Sequence, residues 1–257
     1  MQQATLGRVY VWEIPVRVYH WLNAACILVL CATGYLIGQP LAIQRASEAS
    51  FSYWFGTVRF IHFVAAYVFF FNFAFRIYWG FVGNRYASWK NFIIYRKPQV
   101  KEIMKVLAVD ILQADNKPIE TIGHNAMAGL TYFLTFLAFL FQCLTGFGIY
   151  AAMSKSWFPH LFAWIVPLMG GDFAARQWHH LFMWFFIIFS IVHVYLVFYH
   201  DYVEGRGEIS SMGGGWKFIE KEFHPLLGKR ETSQAPVPAS SESASSSSAA
   251  APDKPRP

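Results

Sequence analysis

Four apolar runs, Trp21–Ile37, Val58–Trp79, Met127–Tyr150 and Trp178–Tyr199, limit what this chain can fold into. Each is long enough to cross the roughly 30 Å hydrocarbon core of a bilayer as a helix, the first at the short end of the range. In hydrocarbon every backbone amide must find its partner inside the chain, which leaves helices or closed barrels. A content of 55% hydrophobic and 14% charged residues suits a polytopic membrane protein better than a soluble domain. A signal peptide is the competing reading of the first run, but Glu13 precedes it and no small-residue cleavage pattern follows. The expected fold is an all-α membrane protein, a four-transmembrane-helix bundle.

Lys and Arg set its orientation. Sixteen lie before the first run, between the second and third, or after the fourth, against three in the two remaining loops. Both termini and the long middle loop are therefore expected in the cytoplasm. The net charge of +6 follows from this bias and is no argument for nucleic acid. The expected division is a cytoplasmic segment 1–20, the four-helix domain 21–200, a cytoplasmic segment 201–230 and a disordered Ser/Ala/Pro-rich tail 231–257. The loop Asn84–Lys117 is polar and basic, with a helical stretch at Val100–Leu112. His160–Gly170 is apolar, contains Pro167 and is too short to span, which suits an interfacial or re-entrant segment on the outer side.

Histidines inside the runs carry the chemistry, because imidazole is costly in hydrocarbon without a partner. His179 and His193 are 14 residues apart, about 40° short of four helical turns, so they share a face at depths roughly 21 Å apart. Two such groups suggest two stacked sites, each suited to a haem with two axial histidines. His62, near the outer end of the second run, matches His179 in depth. The inner partner of His20 is less clear: His193 sits about four residues deeper than a histidine at the helix edge, and His200 matches His20 better on simple counting. A helical turn before His20, from Val16 onward, or helix tilt removes the mismatch. His180 lies roughly 140° from the face of His193 and reads as a supporting or loop-facing residue. His124 and Asn125 open the third run, either as a polar helix start or as a site near the inner haem where a quinone gains protons. His160 and His224 lie in loops and are assigned nothing. Gly34, 14 residues after His20, suits close approach of a flat ring or of a neighbouring helix. The three cysteines all lie within runs, no CxxCH is present for covalent haem attachment, and no cluster suits an iron–sulfur centre or structural zinc.

A short internal repeat is visible. CATGY (Cys31–Tyr35) ends the first run and CLTGF (Cys143–Phe147) ends the third, while FIHF (Phe60–Phe63) opens the second and WHHL (Trp178–Leu181) the fourth. Aligning His62 with His179 places Arg76 where His193 stands. An arginine there either neutralises a haem propionate or snorkels to the cytoplasmic interface.

The segments PVRVYHWLN (Pro15–Asn23), ATGYLIG (Ala32–Gly38), RFIHF (Arg59–Phe63), RIYWGFVGNRY (Arg76–Tyr86), TIGHNAMA (Thr121–Ala128), TGF (Thr145–Phe147), WHHLFMW (Trp178–Trp184) and HVY (His193–Tyr195) carry a family resemblance. With them the chain resembles the b-type cytochrome subunit of membrane-bound nickel–iron hydrogenases, which is related to the gamma subunit of respiratory formate dehydrogenases. The resemblance implies two non-covalent haem b groups, with His62 and His179 on the outer one and His20 and His193 on the inner one. It implies as partners a hydrogenase small subunit with iron–sulfur clusters and an anchor helix, and a large subunit with the nickel–iron site. It places a quinone, ubiquinone or menaquinone, near His124 and Asn125. The expected function is electron transfer from a periplasmic hydrogenase to the quinone pool, together with anchoring of the hydrogenase to the membrane. The isolated chain, with nothing to hold nickel, is not expected to be an enzyme. The alternatives are a cytochrome b for another periplasmic dehydrogenase, such as formate dehydrogenase, and a haem-free membrane transporter or scaffold.

Overall fold

The computed structural model describes residues 6–41, 53–89, 126–204 and 207–220. Four long helices dominate it: α1 (Ile14–Gly38), α2 (Trp54–Val82), α3 (Ala126–Ala151) and α4 (Asp172–Glu204). All four are long and apolar enough to cross a membrane. Each outruns the apolar stretch that marks it in the sequence, α3 by one alanine at each end and α1 and α4 by polar as well as apolar residues. α1 starts seven residues before Trp21, with Pro15 in its first turn, where the missing N–H costs nothing. α4 starts at Asp172, an acidic residue favoured by the positive end of the helix dipole.

α1 packs along α2, α3 along α4, and α1 along α4, with a smaller contact between α2 and α3. Their shared core is built of Phe69, Phe73, Phe139, Phe147 and Phe186 with Cys26 and Cys143. Large apolar residues such as Leu28, Phe60 and Phe81 point outward, as in a bundle whose surrounding solvent is lipid. Between α3 and α4 run two single-turn helices, Trp157–His160 and Ile165–Leu168. They leave and rejoin one end of the bundle, as the short apolar segment there predicts. Phe158 and Phe162 pack on Phe147 and Phe70, and Ile165 fills the space left by the missing side chain of Gly148.

At the opposite end, strands β1 (Leu6–Tyr10) and β2 (Trp216–Glu220) pair in a two-stranded sheet, preceded by the short helix α5 (Glu208–Gly214). Here the FVGNRY motif shows its local role. The Glu13 carboxylate accepts from Trp79 Nε1 at 3.0 Å and from the Asn84 amide at 2.9 Å. Asn84 Nδ2 donates to the Val11 carbonyl, and its Oδ1 accepts from the amides of Tyr86 and Ala87, each at 3.0 Å. The segment ahead of α1 is thereby fastened to the end of α2. Arg17 donates to the Gly213 carbonyl and Trp21 to that of Met212, which ties α5 to α1.

The chain divides into two compact units, Arg8–Ile219 and the chain ends Met1–Gly7 with Glu220–Pro257. All the helices belong to the first. In the second, Leu6, Gly7 and Glu220 are the described residues. The helical stretch expected at Val100–Leu112 and the tail 231–257 lie outside the described residues.

Candidate functional site

Near the end capped by the single-turn helices, α1–α4 enclose a cavity of about 1170 Å³ lined by His62, His179, Gly34, Gly146, Arg59 and Arg176 among others. His62 from α2 and His179 from α4, matched in depth by the sequence, thus face one space. Each has the same support. His62 Nδ1 lies 2.8 Å from Thr33 Oγ1, and His179 Nδ1 lies 2.9 Å from Thr145 Oγ1. The threonine hydroxyls also lie 2.6 Å from the Val29 carbonyl and 2.9 Å from the Phe141 carbonyl, one turn back in their own helices. A hydroxyl has a single proton. With it given to the carbonyl, the oxygen accepts from Nδ1–H, and Nε2 carries no proton on either ring, the tautomer a metal ligand needs; on His179 that nitrogen lies 3.4 Å from Gln142 Nε2.

The glycines beside these threonines let the rings come close. A Cβ on Gly146 would lie 2.9 Å from His179 Cε1, and one on Gly34 would lie 3.4 Å from His62 Cε1 and 3.6 Å from Met183 Sδ. The expectation that Gly34 serves a close approach holds, with His62 as the neighbour. His180 stays apart from His179, its ring 3.0 Å from the Cβ position of Gly38 on α1, at the rim of the same cavity. Gln142 Nε2 donates to the His179 carbonyl at 3.1 Å.

Towards the other end, His20 and His193 bring their ring centroids to 6.3 Å with planes tilted by 55°. Because α1 begins at Ile14, a full turn precedes His20, as the depth match with His193 requires. The His193 ring also stacks on Phe189 at 5.7 Å. The His200 ring contact is with Tyr199.

Arg76 does not snorkel. It is 2% exposed, its guanidinium lies over the rings of Tyr19, Trp89 and Tyr132, and it donates from Nε to the Tyr132 hydroxyl at 2.6 Å and from a terminal nitrogen to the Ala87 carbonyl at 3.0 Å. The internal repeat explains its place. Thr33 and Thr145 are 112 residues apart, as are His20 and Tyr132; His62 and His179 are 117 apart, as are Arg76 and His193. Tyr132–Arg76 is thus the counterpart, across the two halves of the bundle, of His20–His193. Arg59 and Arg176 form another such pair, each three residues before a cavity histidine.

The residues present fit a bis-histidine haem. The cavity of His62 and His179 has the volume for a large planar ligand, two imidazoles with unprotonated Nε2 atoms, and a glycine beside each ring. Metal–imidazole nitrogen bonds run to roughly 2 Å, so rings 6.3 Å apart leave room for one ion between His20 and His193. Buried His20 Nδ1 has no hydrogen-bond partner among the described residues, in contrast to the Nδ1 atoms of His62 and His179. His124 and Asn125 lie outside the described residues. Thr33, Thr145, Arg59 and Arg176 escaped the sequence reading, although TG in both halves and an arginine three residues before each histidine were there to be aligned.

Comparison with known proteins places the whole helical region in one family. The model of a family described as prokaryotic cytochrome b561 matches residues 11–215. A protein of Azotobacter vinelandii named "Probable Ni/Fe-hydrogenase B-type cytochrome subunit" is 39% identical over 218 residues, covering 83% of this chain and 90% of its own. One of the same name from Cupriavidus necator is 38% identical over 213 residues, covering 81% and 86%. The "Probable Ni/Fe-hydrogenase 1 B-type cytochrome subunit" of Escherichia coli K12 is 36% identical over 214 residues, covering 81% and 90%.

Proposed function

The chain belongs to the prokaryotic cytochrome b561 family, and on that premise we propose that it is the di-haem membrane subunit that passes electrons from a periplasmic nickel–iron hydrogenase to the quinone pool. The observation that carries this reading is the meeting of four helix-borne histidines in two pairs at two depths, His62 with His179 in one cavity and His20 with His193 at 6.3 Å. The names of the relatives, all nickel–iron hydrogenase cytochrome subunits, favour hydrogenase over formate dehydrogenase as the electron source. Two rings in the same tautomer, with unprotonated Nε2 atoms and lining one wide cavity, favour haem ligands over the histidines of a haem-free transporter. That the inner pair's counterpart is Arg76 and Tyr132 supports one haem at the inner level and two per chain.

Haem b, when bound, supplies a one-electron iron couple within the membrane. His62 and His179 hold the outer group, and His20 and His193 the inner one. Arg59 and Arg176 at the cavity rim offer guanidinium groups to the carboxylates of the outer haem, and Arg76 offers its charge on the inner side. The apolar helix faces keep water from both sites. His124 and Asn125 border the quinone, ubiquinone or menaquinone, and supply hydrogen bonds and a proton route on the cytoplasmic side. The chain itself binds no hydrogen. It anchors the hydrogenase small and large subunits to the bacterial inner membrane, with both of its own termini in the cytoplasm.

The test is a deletion of this chain in a strain that makes the hydrogenase. Hydrogen-dependent quinone reduction by membranes should be lost, hydrogen oxidation with an artificial dye should persist, and much of the hydrogenase should leave the membrane fraction. Quinone reduction at the wild-type rate without the chain would refute the proposal.

A further inference from the structure

We propose that Thr33 and Thr145 are positioning residues that hold the two axial histidines of the outer haem and lower that haem's reduction potential. This inference rests on the proposed assignment of His62 and His179 as its ligands. Four distances support it: 2.8 and 2.9 Å from each Nδ1 to its threonine oxygen, and 2.6 and 2.9 Å from those oxygens back to carbonyls of their own helices. The back-bonds use up the hydroxyl protons, so each oxygen is an acceptor towards imidazole. They also fix each side chain, so that the acceptor stands still. Thr145 is fully buried and Thr33 is 8% exposed, which keeps water from replacing them.

An imidazole that donates its second N–H to a fixed acceptor is held in one tautomer and one ring orientation and becomes a more basic ligand. A more electron-donating ligand favours the ferric state and lowers the potential of a haem, one of the levers a protein has on such a group. The inner pair lacks this support at His20, whose Nδ1 has no hydrogen-bond partner among the described residues. With both ligands supported outside and His20 unsupported inside, the two sites are set apart in potential, with the outer haem lower. Transfer from outer to inner is then downhill, which helps an electron move inward against the membrane potential. The symmetric placing of both threonines, one per repeat, makes the effect act on both axial bonds.

The test is a spectroscopic redox titration of the purified, haem-loaded full chain and its variants, with the two components assigned by His62→Ala and His20→Ala. In the wild type the outer component should titrate below the inner. Thr33→Val and Thr145→Val should each raise the outer midpoint and leave the inner one in place, with a larger rise in the double variant. Thr33→Ser and Thr145→Ser, which keep the hydroxyl, should return it. Thr33→Ala and Thr145→Ala carry the same test if valine disturbs folding, since they delete the hydroxyl and add nothing. An outer midpoint unmoved by valine and alanine would overturn the inference, as would a shift that serine fails to reverse or an outer component above the inner in the wild type. Full haem content in both His62→Ala and His179→Ala would instead refute the ligand assignment beneath it.

Discussion

The Arg76 guanidinium donates to the Tyr132 hydroxyl at 2.6 Å, at the place in one half of the bundle where the other half sets His193 against His20. Two repeats of one helix pair thus share a frame and differ in what it holds. Where they meet at the cavity end, each gives a Thr–Gly step and an Arg-x-x-His step. Towards the other end one position carries imidazoles, and its counterpart is closed by an arginine between three aromatic rings.

This burial fixes what removing the arginine does. Tyr132→Phe deletes a hydrogen bond to a charged group and should cost about 1.5–3 kcal/mol of stability, read as a lowered melting transition with both haems still bound. Arg76→Gln removes a positive charge near the inner site. It should lower the inner haem's potential and leave the outer one in place, which a redox titration of the variant checks. An unchanged inner potential would detach Arg76 from that haem.

The two glycines of the outer site predict unequal effects. Gly146→Ala brings a methyl to 2.9 Å from His179 Cε1, too close for a ring fixed by Thr145, with an overpacking cost of about 1–3 kcal/mol. Haem per chain should fall towards one. Gly34→Ala meets His62 at 3.4 Å and should keep both haems. Equal haem content in the two variants would mean that the rings move freely.

His180 and His200 are the controls for the ligands beside them. His180 packs against Gly38 and His200 against Tyr199. His180→Ala and His200→Ala should leave both haem spectra intact, as recorded in reduced-minus-oxidised difference spectra. Loss of a haem in either variant would move the ligand role to that residue.

The fold and the site were legible in the sequence to different degrees. Four spans follow from apolar length, and the short outer segment from its own length, because hydrocarbon thickness imposes both. The 14-residue interval and the depth shared with His62 single out His62, His179 and His193, since helical geometry is regular, whereas counting alone leaves His20 between His193 and His200 until α1 is seen to begin at Ile14. The choice between burial and snorkelling for Arg76 is not legible, because Tyr19, Tyr132 and Trp89 surround it from other parts of the chain. Nor is the role of Thr33 and Thr145: a threonine in an apolar helix satisfies its hydroxyl on its own backbone, and only the packing of α1 on α2 and of α3 on α4 adds the imidazole. FVGNRY stands out as a pattern, yet its work, the bonds of Asn84 to Val11 and Glu13, needs the fold.

The proposed quinone site at His124 and Asn125 carries a kinetic prediction. His124→Ala or Asn125→Ala should slow quinone reduction by the assembled complex, leave dye-linked hydrogen oxidation unchanged, and keep both haems bound and reducible by hydrogen. Parallel loss of haem and dye activity would mark the two residues as parts of the helix start, and normal quinone turnover would remove them from the site.

Haem counted per chain, in the wild type and in four single variants, tests the two-site account most directly. The purified, fully loaded protein should yield two haem b per chain, all extractable into acid acetone because no thioether link is available. His62→Ala and His179→Ala should each leave only the inner haem, and His20→Ala and His193→Ala only the outer one. One haem or none in the loaded wild type, or two retained when any of the four histidines is removed, would contradict it.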